Sequence, residues 1–196
     1  ADRDWSSDVC SSDLKMLIIL GCMALLNGCA IMSKSECLNA NWAAIGQRDG
    51  INGAGAKMQE RGRACAKHEI AIDRKLYTES YKKGLKTYCN PQAVFDFALQ
   101  GKGDYQNCPL EMHNELRPYY SVANSYFSTK KNLNSIEQGI ANARSSLQKS
   151  DLKEKDKSYY RGIVTRNSEL LPQARRDFYE AERNLQQFKK TQSLVY

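Results

Sequence analysis

The sequence is poor in histidine and proline, and it contains no apolar run long enough to cross a membrane. Only two histidines, His68 and His113, and four prolines occur among its 196 residues. Two histidines exclude a metal centre built from several imidazoles. With 41% hydrophobic and 26% charged residues, the composition excludes disordered, collagen-like and polytopic membrane proteins. We therefore expect one folded domain, or a small domain with a helical extension, and the composition indicates no catalytic, metal or cofactor site.

The first fourteen residues differ in character from the rest of the chain. Residues 1–14 contain a repeated Ser-Ser-Asp, and residues 8–14 resemble the translation of a sequencing-library adapter. We interpret residues 1–14 as a non-native segment, the alternative being a native polar leader. Trp5 and Cys10 therefore give no information about the fold or the function.

A candidate secretion signal follows at residues 15–28. The basic Lys15 precedes an apolar stretch, residues 16–26, of the length found in signal peptides. A membrane-spanning helix needs about 20 apolar residues, so this stretch is too short to cross a bilayer. It ends in four residues that resemble a bacterial lipobox, namely Leu26, Asn27, Gly28 and Cys29. We predict a lipoprotein signal peptide; the alternative is an ordinary signal peptide followed by an unrelated cysteine.

The lipobox predicts how the mature protein is held. The leader would be cut before Cys29, whose sulfur and new amine would carry three acyl chains. Each CH₂ buried in the bilayer contributes about 0.8 kcal/mol, so three chains form a firm anchor. Ala30, rather than Asp, after the cysteine favours the outer membrane. We expect a lipid-anchored protein on the periplasmic face of the outer membrane.

The predicted mature chain is basic. Residues 29–196 hold 27 Lys and Arg against 18 Asp and Glu, a net charge of +9. In a cytosolic protein this excess would indicate nucleic acid, but a periplasmic address excludes that partner. The anionic partners that remain are phospholipid, lipopolysaccharide phosphates and peptidoglycan carboxylates. The alternative is a solvated basic surface without a specific ligand.

Four cysteines remain once Cys10, Cys22 and Cys29 are set aside. They are Cys37, Cys65, Cys89 and Cys108. In an oxidising compartment four cysteines predict two disulfides, with three possible connectivities. We favour Cys37–Cys65 with Cys89–Cys108, because antiparallel short helices would bring the first pair within disulfide distance and the second pair closes a local loop. The other two connectivities stay open, and each would require the third helix to fold back across the first two.

Residues 29–110 are expected to form a cysteine-rich helical head. The apolar spacing predicts helices at 36–47, 57–68 and 74–88. Ser35 and Asp73 are expected to cap the first and the third of these helices. Asp49-Gly50 and Asn52-Gly53 predict consecutive turns, and residues 90–105 are predicted to be a loop closed by Cys108.

Residues 111–196 are expected to form a long antiparallel helical hairpin. Apolar residues recur every seven positions, as in a coiled-coil-like seam. On the first helix the seam consists of Tyr119, Val122, Tyr126, Thr129, Leu133, Ile136, Ile140, Ala143 and Leu147. On the second it consists of Tyr160, Val164, Leu171, Ala174, Phe178, Ala181, Leu185 and Phe188, with Asn167 as an interruption. A short connection near 149–151 predicts antiparallel helices, with Ser150 or Asp151 as the cap and a kink or break at Pro172. The predicted fold is therefore all-α.

Several short motifs together resemble a known family. They are the run from Cys37 to Gly53, Ala64-Cys65, the segment from Tyr81 to Cys89, and Tyr105-Gln-Asn-Cys108-Pro109. Over residues 29–110 the chain resembles an uncharacterised family of gammaproteobacterial lipoproteins known only as a domain of unknown function. Ser80 stands where the family pattern has glycine. The resemblance implies a cellular location and an architecture, but no enzymatic activity.

Four features could carry chemistry, and each has a structural alternative that we favour. Cys65 and His68 lie one helical turn apart, as a nucleophilic pair or half a metal site requires, but a disulfide and a surface histidine explain them. The glycines of residues 50–57 lack the Gly-Lys-Ser/Thr of a phosphate-binding loop and indicate turns. Asp49 is expected to be a turn or cap residue rather than a general base. Four tyrosines could stack on a glycan, but we expect core packing for Tyr77, Tyr81, Tyr88 and Tyr105.

The sequence supports two hypotheses for function. The first is a non-enzymatic envelope lipoprotein whose hairpin contacts an unidentified envelope protein or the cell wall. The second is an envelope enzyme that acts on peptidoglycan or lipid through a Cys–His or carboxylate site. The first is favoured, because the sequence contains no convincing catalytic motif.

Overall fold

The computed structural model describes residues 32–193, and within this range the chain is helical without a strand, which confirms the all-α prediction. The described residues, 32–193, belong to one compact unit. The seven α-helices are α1 (Lys34–Leu38), α2 (Trp42–Ile51), α3 (Met58–Ala66), α4 (Arg74–Tyr88), α5 (Pro91–Leu99), α6 (His113–Leu147) and α7 (Glu154–Gln192). Short 3₁₀ turns at Tyr105–Asn107 and Leu110–Met112 connect α5 to α6.

The predicted first helix, 36–47, is wrong, because the chain forms two helices there. Ser33, not Ser35, caps α1, and it exchanges hydrogen bonds with Glu36 in a capping box. Asn41 then starts α2, since its side-chain oxygen accepts a hydrogen bond from the amide of Ala44 at 3.0 Å. The break rotates Leu38 away from the core and leaves it exposed.

Helices α2 and α4 pack closely through small residues. A Cβ atom on Gly46 would overlap the carbonyl oxygen of Tyr77, and one on Gly50 would overlap that of Tyr81. On the other side, a Cβ on Gly84 would overlap the carbonyl oxygen of Gln47. The predicted turn at 49–50 is therefore wrong. Gly50 lies inside α2, where it allows close contact with α4, and the chain turns only after Ile51.

The predicted loop at 90–105 is also wrong in its first half, which forms α5. The side chain of Asn90 accepts a hydrogen bond from the amide of Ala93 at 2.9 Å, and Pro91 occupies the first helical position. The inner face of α5 buries three apolar residues, namely Val94, Phe95 and Ala98. This helix lies on α6 and connects the head to the hairpin.

Helices α6 and α7 run antiparallel, as predicted. Tyr119 bonds to Gln192 at 2.8 Å, whereas Glu137, later in α6, pairs with Arg175, earlier in α7, at 3.0 Å. Every predicted seam residue of both helices is buried or half-buried. Asn167, which interrupts the apolar row, lies against Gly139, where a Cβ atom would collide with its side-chain amide.

The second long helix differs from the prediction at its start, and it is not broken at its proline. It begins at Glu154 after Lys153, without a side-chain cap from Ser150 or Asp151. It continues through Pro172 without dividing. Proline has no backbone N–H to donate, and because Pro172 lies on the exposed side of α7, the hydrogen bond is lost on the solvent side of the helix.

The apolar core consists of four clusters in series. The first contains Met32, Cys37, Trp42, Ala64, Cys65, Tyr77 and Tyr81; the second contains Tyr88, Cys89, Val94, Cys108 and Leu116. The third contains Phe95, Ala98, Ala123 and Leu185; the fourth contains Leu133, Ile136, Ile140 and Ala174. Leu85 borders the first two clusters, Tyr119 borders the second and third, and a ring contact between Tyr126 and Phe178 connects the third to the fourth. Met32 and the turn after Leu147 therefore lie at opposite ends of the series.

Candidate functional site

The four cysteines form the two favoured disulfides. Cys37 bonds to Cys65 with the Cα atoms 5.6 Å apart, and Cys89 bonds to Cys108 with the Cα atoms 5.7 Å apart. The first bridge connects α1 to the last turn of α3. The second connects the end of α4 to the 3₁₀ turn before Pro109. The predicted connectivity is confirmed.

The Cys65–His68 pair does not form a nucleophilic site. The Cys65 sulfur is bonded to Cys37, and the residue is 0% exposed. A disulfide sulfur supplies no thiolate, which is the reactive species in cysteine catalysis. Among residues 32–193, no three His, Cys, Asp or Glu side chains come together as metal ligands.

Asp49 is part of a buried network that connects α2, α3 and α4. One guanidinium nitrogen of Arg61 donates to both carboxylate oxygens of Asp49, at 2.9 and 2.8 Å. The hydroxyl of Tyr77 donates to the same carboxylate at 2.7 Å and accepts a hydrogen bond from the amide of Lys57 at 3.1 Å. The network holds the turn between α2 and α3 against α4. The prediction that Asp49 is a turn or cap residue is wrong.

The buried tyrosines of α4 resist ionisation. Burial, followed by the hydrogen bond to Asp49 and its negative charge, raises the pKa of Tyr77. Burial and the same carboxylate raise the pKa of Tyr81, whose hydroxyl donates to the carbonyl of Ala54 at 2.8 Å. Burial raises the pKa of Tyr88, with a smaller contribution from Asp104. Their role is packing rather than proton transfer.

The tyrosines suggested as a glycan platform do not form one. Tyr77, Tyr81 and Tyr88 are core residues, and Tyr105 is half-buried against Tyr120 and His113. Tyr77 and Tyr81 stack on each other, with ring centroids 6.1 Å apart, inside the head. These three rings are buried, so the core alternative is confirmed for Tyr77, Tyr81 and Tyr88.

A surface groove on α6 combines aromatic rings with lysines. Its volume is about 550 Å³, within the range of small-molecule sites. We call it the aromatic–lysine groove, and it is lined by Leu99, Tyr126, Phe127, Lys130, Lys131, Asn134, Ser135 and Gln138. All of these residues except Leu99 belong to consecutive turns of one face of α6, and Leu99 ends α5.

Packing behind the groove fixes its aromatic wall. The ring of Phe127 lies against Gly101, where a Cβ atom would overlap it, and Gly101 has a φ of +68° that favours glycine. The ring of Tyr126 contacts Phe178 of α7, with centroids 5.7 Å apart. The ammonium of Lys130 lies 5.5 Å from the centroid of the Tyr126 ring and 3.5 Å from its hydroxyl. The rings are therefore held in place before any ligand arrives.

The chemistry of the groove suits an anionic ligand with sugar rings or amides. Aromatic faces stack on rings, ammonium groups pair with carboxylates, and the side chains of Asn134, Ser135 and Gln138 can donate and accept hydrogen bonds. The groove is not predicted from the sequence, because Tyr126 fits the apolar seam. The spacing of Tyr126 and Lys130, four residues apart on one helix, is the signal that could have indicated it.

The predicted lipidation residue Cys29 and the lipobox residues Leu26, Asn27 and Gly28 lie outside the described residues, as does the whole of the predicted leader. Within the described part of the chain, no helix is long and apolar enough to cross a membrane. The first described core residue, Met32, lies three positions after Cys29 and belongs to the first cluster.

Comparison with known proteins identifies a family model for part of the chain. No curated protein matches the chain, and no solved structure matches it either. Residues 41–125 match a family model described as "Protein of unknown function (DUF2799)". This region runs from the cap of α2 into α6 and includes the Asp49 network and the second disulfide, but of the residues that line the aromatic–lysine groove it includes only Leu99. Over residues 41–125 the chain is thus similar to a domain family of unknown function, which supports that part of the resemblance seen in the sequence.

Proposed function

We propose that the protein is a non-enzymatic lipoprotein of the bacterial outer membrane that binds the cell wall on its periplasmic side. A lipid at Cys29 would hold the head at the membrane, and the hairpin would carry the aromatic–lysine groove toward peptidoglycan. The observation that carries this proposal is the groove itself, where two lysines lie beside aromatic rings on the basic hairpin.

The charge of the hairpin supports an anionic partner. Residues 113–193 hold 15 Lys and Arg against nine Asp and Glu, so this part of the chain is positively charged. The ion pairs Lys157–Glu154 and Arg175–Glu137 do not involve the lysines of the groove. Peptidoglycan offers carboxylates and sugar rings together, which are the two features that the groove residues recognise.

The arrangement of the core clusters supports a bridging role. The predicted anchor precedes Met32 in the first cluster, whereas Tyr126 of the groove borders the third cluster. An α-helix rises about 1.5 Å per residue, so the 35 residues of α6 span roughly 50 Å. A binding face along such a helix can lie well away from the membrane surface.

The alternative of an envelope enzyme receives less support. Its proposed thiol, Cys65, is in a disulfide, and Asp49 forms an ion pair with Arg61 inside the head. Neither group faces the aromatic–lysine groove. A protein partner in place of the cell wall is the second alternative, and the binding experiment distinguishes it.

Sedimentation with purified peptidoglycan tests the proposed ligand. Residues 31–196, exported so that the disulfides form, should sediment with peptidoglycan, and binding should weaken with salt. The double variant Lys130→Gln/Lys131→Gln should lose about fivefold or more in affinity. The matched control is Lys75→Gln/Lys83→Gln, which removes the same charge from α4 and should bind normally. Equal losses in both variants, or no sedimentation of the wild type, would contradict a groove-specific site.

Metabolic labelling tests the anchor separately. Labelled palmitate should enter the wild-type protein and be absent from Cys29→Ser. The labelled protein should fractionate with the outer membrane. An unlabelled wild type, or recovery in the inner membrane, would refute the proposed anchor without bearing on the groove.

A further inference from the structure

A second groove lies on the head, beside the disulfide Cys89–Cys108. Its volume is about 600 Å³, and its walls come from the C-terminal half of α4 and from the segment that leads into α6. We call it the disulfide groove, and it is lined by Lys82, Leu85, Lys86, Cys89, Asn107, Cys108, Pro109 and Met112. Five of these eight residues are apolar, counting the two disulfide-bonded cysteines.

The walls of the disulfide groove are fixed by bonds that do not involve its open face. The disulfide joins them at the floor. The side-chain amide of Asn107 donates to the carbonyl of Gly53 at 2.8 Å, and Nε2 of His113 donates to the carbonyl of Cys108 at 2.9 Å. Leu85 packs against the two neighbouring core clusters. The groove is therefore preformed, which lowers the entropy cost of binding.

The polar groups at the edge of the groove carry positive charge. Lys82 and Lys86 are exposed and lie one turn apart on α4, so their side chains project from the same face. The ion pairs Arg61–Asp49, Lys157–Glu154 and Arg175–Glu137 involve neither of them. Two ammonium groups beside an apolar trough favour a ligand that is apolar along its length and anionic at one end.

An exposed apolar residue lies in the chain segment that forms one wall of the groove. Leu110 follows Pro109 in the chain and is 79% exposed, more than any other large apolar side chain among the described residues. An acyl chain that extends past Pro109 toward Leu110 would remove its apolar surface from water.

We propose that the disulfide groove binds the acyl chain of an anionic single-chain amphiphile, with the negatively charged head group held between Lys82 and Lys86. The acyl chain lies along Leu85, Met112 and the disulfide. This site is independent of the aromatic–lysine groove: it lies on another cluster, uses other lysines and takes another class of ligand.

Titration with amphiphiles of one chain length tests the proposal. The probe is dodecanoate, added to residues 31–196 below the concentration at which it forms micelles, with binding followed by calorimetry. We expect saturable binding of one dodecanoate, and at least tenfold weaker binding of the cationic dodecyltrimethylammonium. Lys82→Gln/Lys86→Gln should weaken dodecanoate binding about tenfold, whereas Lys75→Gln/Lys83→Gln on the same helix should leave it unchanged.

The position of the acyl chain is tested with a photoreactive dodecanoate. After illumination, peptide mapping should place the label on the segment that contains Leu110 and Met112. Label on other segments, equal binding of the two amphiphiles, or equal loss in both lysine variants would each overturn the proposal. Saturable binding of an acidic peptide, with no saturable dodecanoate site, would overturn it in favour of a protein ligand.

Discussion

At the scale of single residues, the most constrained group in the head is the Asp49 carboxylate. It is buried inside α2, and both of its oxygens accept hydrogen bonds from Arg61, whose side chain is also largely buried. Tyr77 supplies a further donor from α4. A buried charge is tolerated only when it is paired and hydrogen-bonded, so each of these groups depends on the others.

Removal of the carboxylate should therefore destabilise the head strongly. We expect Asp49→Ala to lower the free energy of unfolding by about 3–5 kcal/mol, because it leaves the Arg61 guanidinium buried without its counter-charge. The measurement is urea denaturation followed by circular dichroism. Glu79→Ala is the control, since Glu79 is exposed on α4, and it should change stability by less than about 0.5 kcal/mol. A loss no larger for Asp49→Ala than for the control would show that the pair contributes little.

The buried tyrosines predict a loss of stability at alkaline pH. The folded protein raises the pKa of Tyr77, Tyr81 and Tyr88 above the ordinary value of 10.0. Below pH 10 both folded and unfolded chains keep these phenols protonated, so their contribution is fully present. Above pH 10 the unfolded chain releases protons that the folded chain retains, and stability falls as pH rises.

Urea midpoints on either side of pH 10 test this sign. We expect a lower midpoint above pH 10, and a smaller decrease for Tyr88→Phe, which removes one of the three phenols. Tyr88 is a suitable position because its buried hydroxyl has no hydrogen-bond partner. Removal of this hydroxyl should therefore change the free energy of unfolding little at neutral pH. A midpoint that is independent of pH in this range would contradict the raised pKa values.

At the scale of elements, contacts between small residues position α2 against α4. Gly46 and Gly50 lie on one face of α2, and Ser80 and Gly84 are buried on the facing side of α4. Ser80 is buried at this contact, where a small side chain fits between the helices. The approach of the two backbones leaves no room for a larger side chain.

Glycine-to-alanine substitutions should have opposite effects at two helical sites. Gly84→Ala should destabilise the protein by about 1–3 kcal/mol, because its Cβ would collide with the backbone of α2. Gly162→Ala in α7 should stabilise it by about 0.5–1 kcal/mol, since nothing lies within 4 Å of that Cβ and alanine favours helix. Thermal unfolding of both variants measures the two effects, and effects of equal sign would argue against the close α2–α4 contact.

The hairpin seam gives a second prediction at this scale. Ile140→Asp should cost roughly 2–4 kcal/mol, because Ile140 is buried in the fourth cluster and the new carboxylate would have no partner there. Leu170→Asp, on the half-exposed outer side of α7, should change stability little. Chemical denaturation compares the two. An unchanged free energy of unfolding in Ile140→Asp would mean that the seam does not stabilise the hairpin.

Elements are predictable from the sequence where the signal is periodic, and less so where it is local. The seven-residue spacing predicts the covered faces of α6 and α7, and the predicted cap of α4 at Asp73 is confirmed. The helices of the head are harder to predict, because a glycine such as Gly50 is typical both of a turn and of a close helix–helix contact. The spacing of Gly46 and Gly50, four residues apart, favours the contact, whereas the Asp-Gly pair favours a turn.

The grooves could not be predicted in the same way. The aromatic–lysine groove depends on α5, which lies in the segment predicted as a loop. It also depends on the packing of the Phe127 ring against Gly101. The Asn90-Pro91 pair does predict a helix start and could have revealed α5. The disulfide groove depends on the path of residues 107–112 around Cys108, which no periodic pattern describes.

At the scale of the whole molecule, the protein is a series of core clusters with distinct surfaces along it. The predicted lipid anchor precedes the first cluster, the disulfide groove lies beside the second, and the aromatic–lysine groove lies between the third and the fourth. The two disulfides lie in the first and second clusters. The two grooves thus lie at different clusters of the described residues.

The proposed contact between the hairpin of the anchored protein and peptidoglycan can be tested in cells by photo-crosslinking. A photoreactive residue would replace Ser135 in the aromatic–lysine groove, with Cys29 intact, and a control would carry the same residue at Glu79 on α4. After illumination and digestion, mass spectrometry should find peptidoglycan fragments attached at position 135 and not at position 79. Adducts to proteins alone at position 135, or equal peptidoglycan adducts at both positions, would contradict the proposed contact.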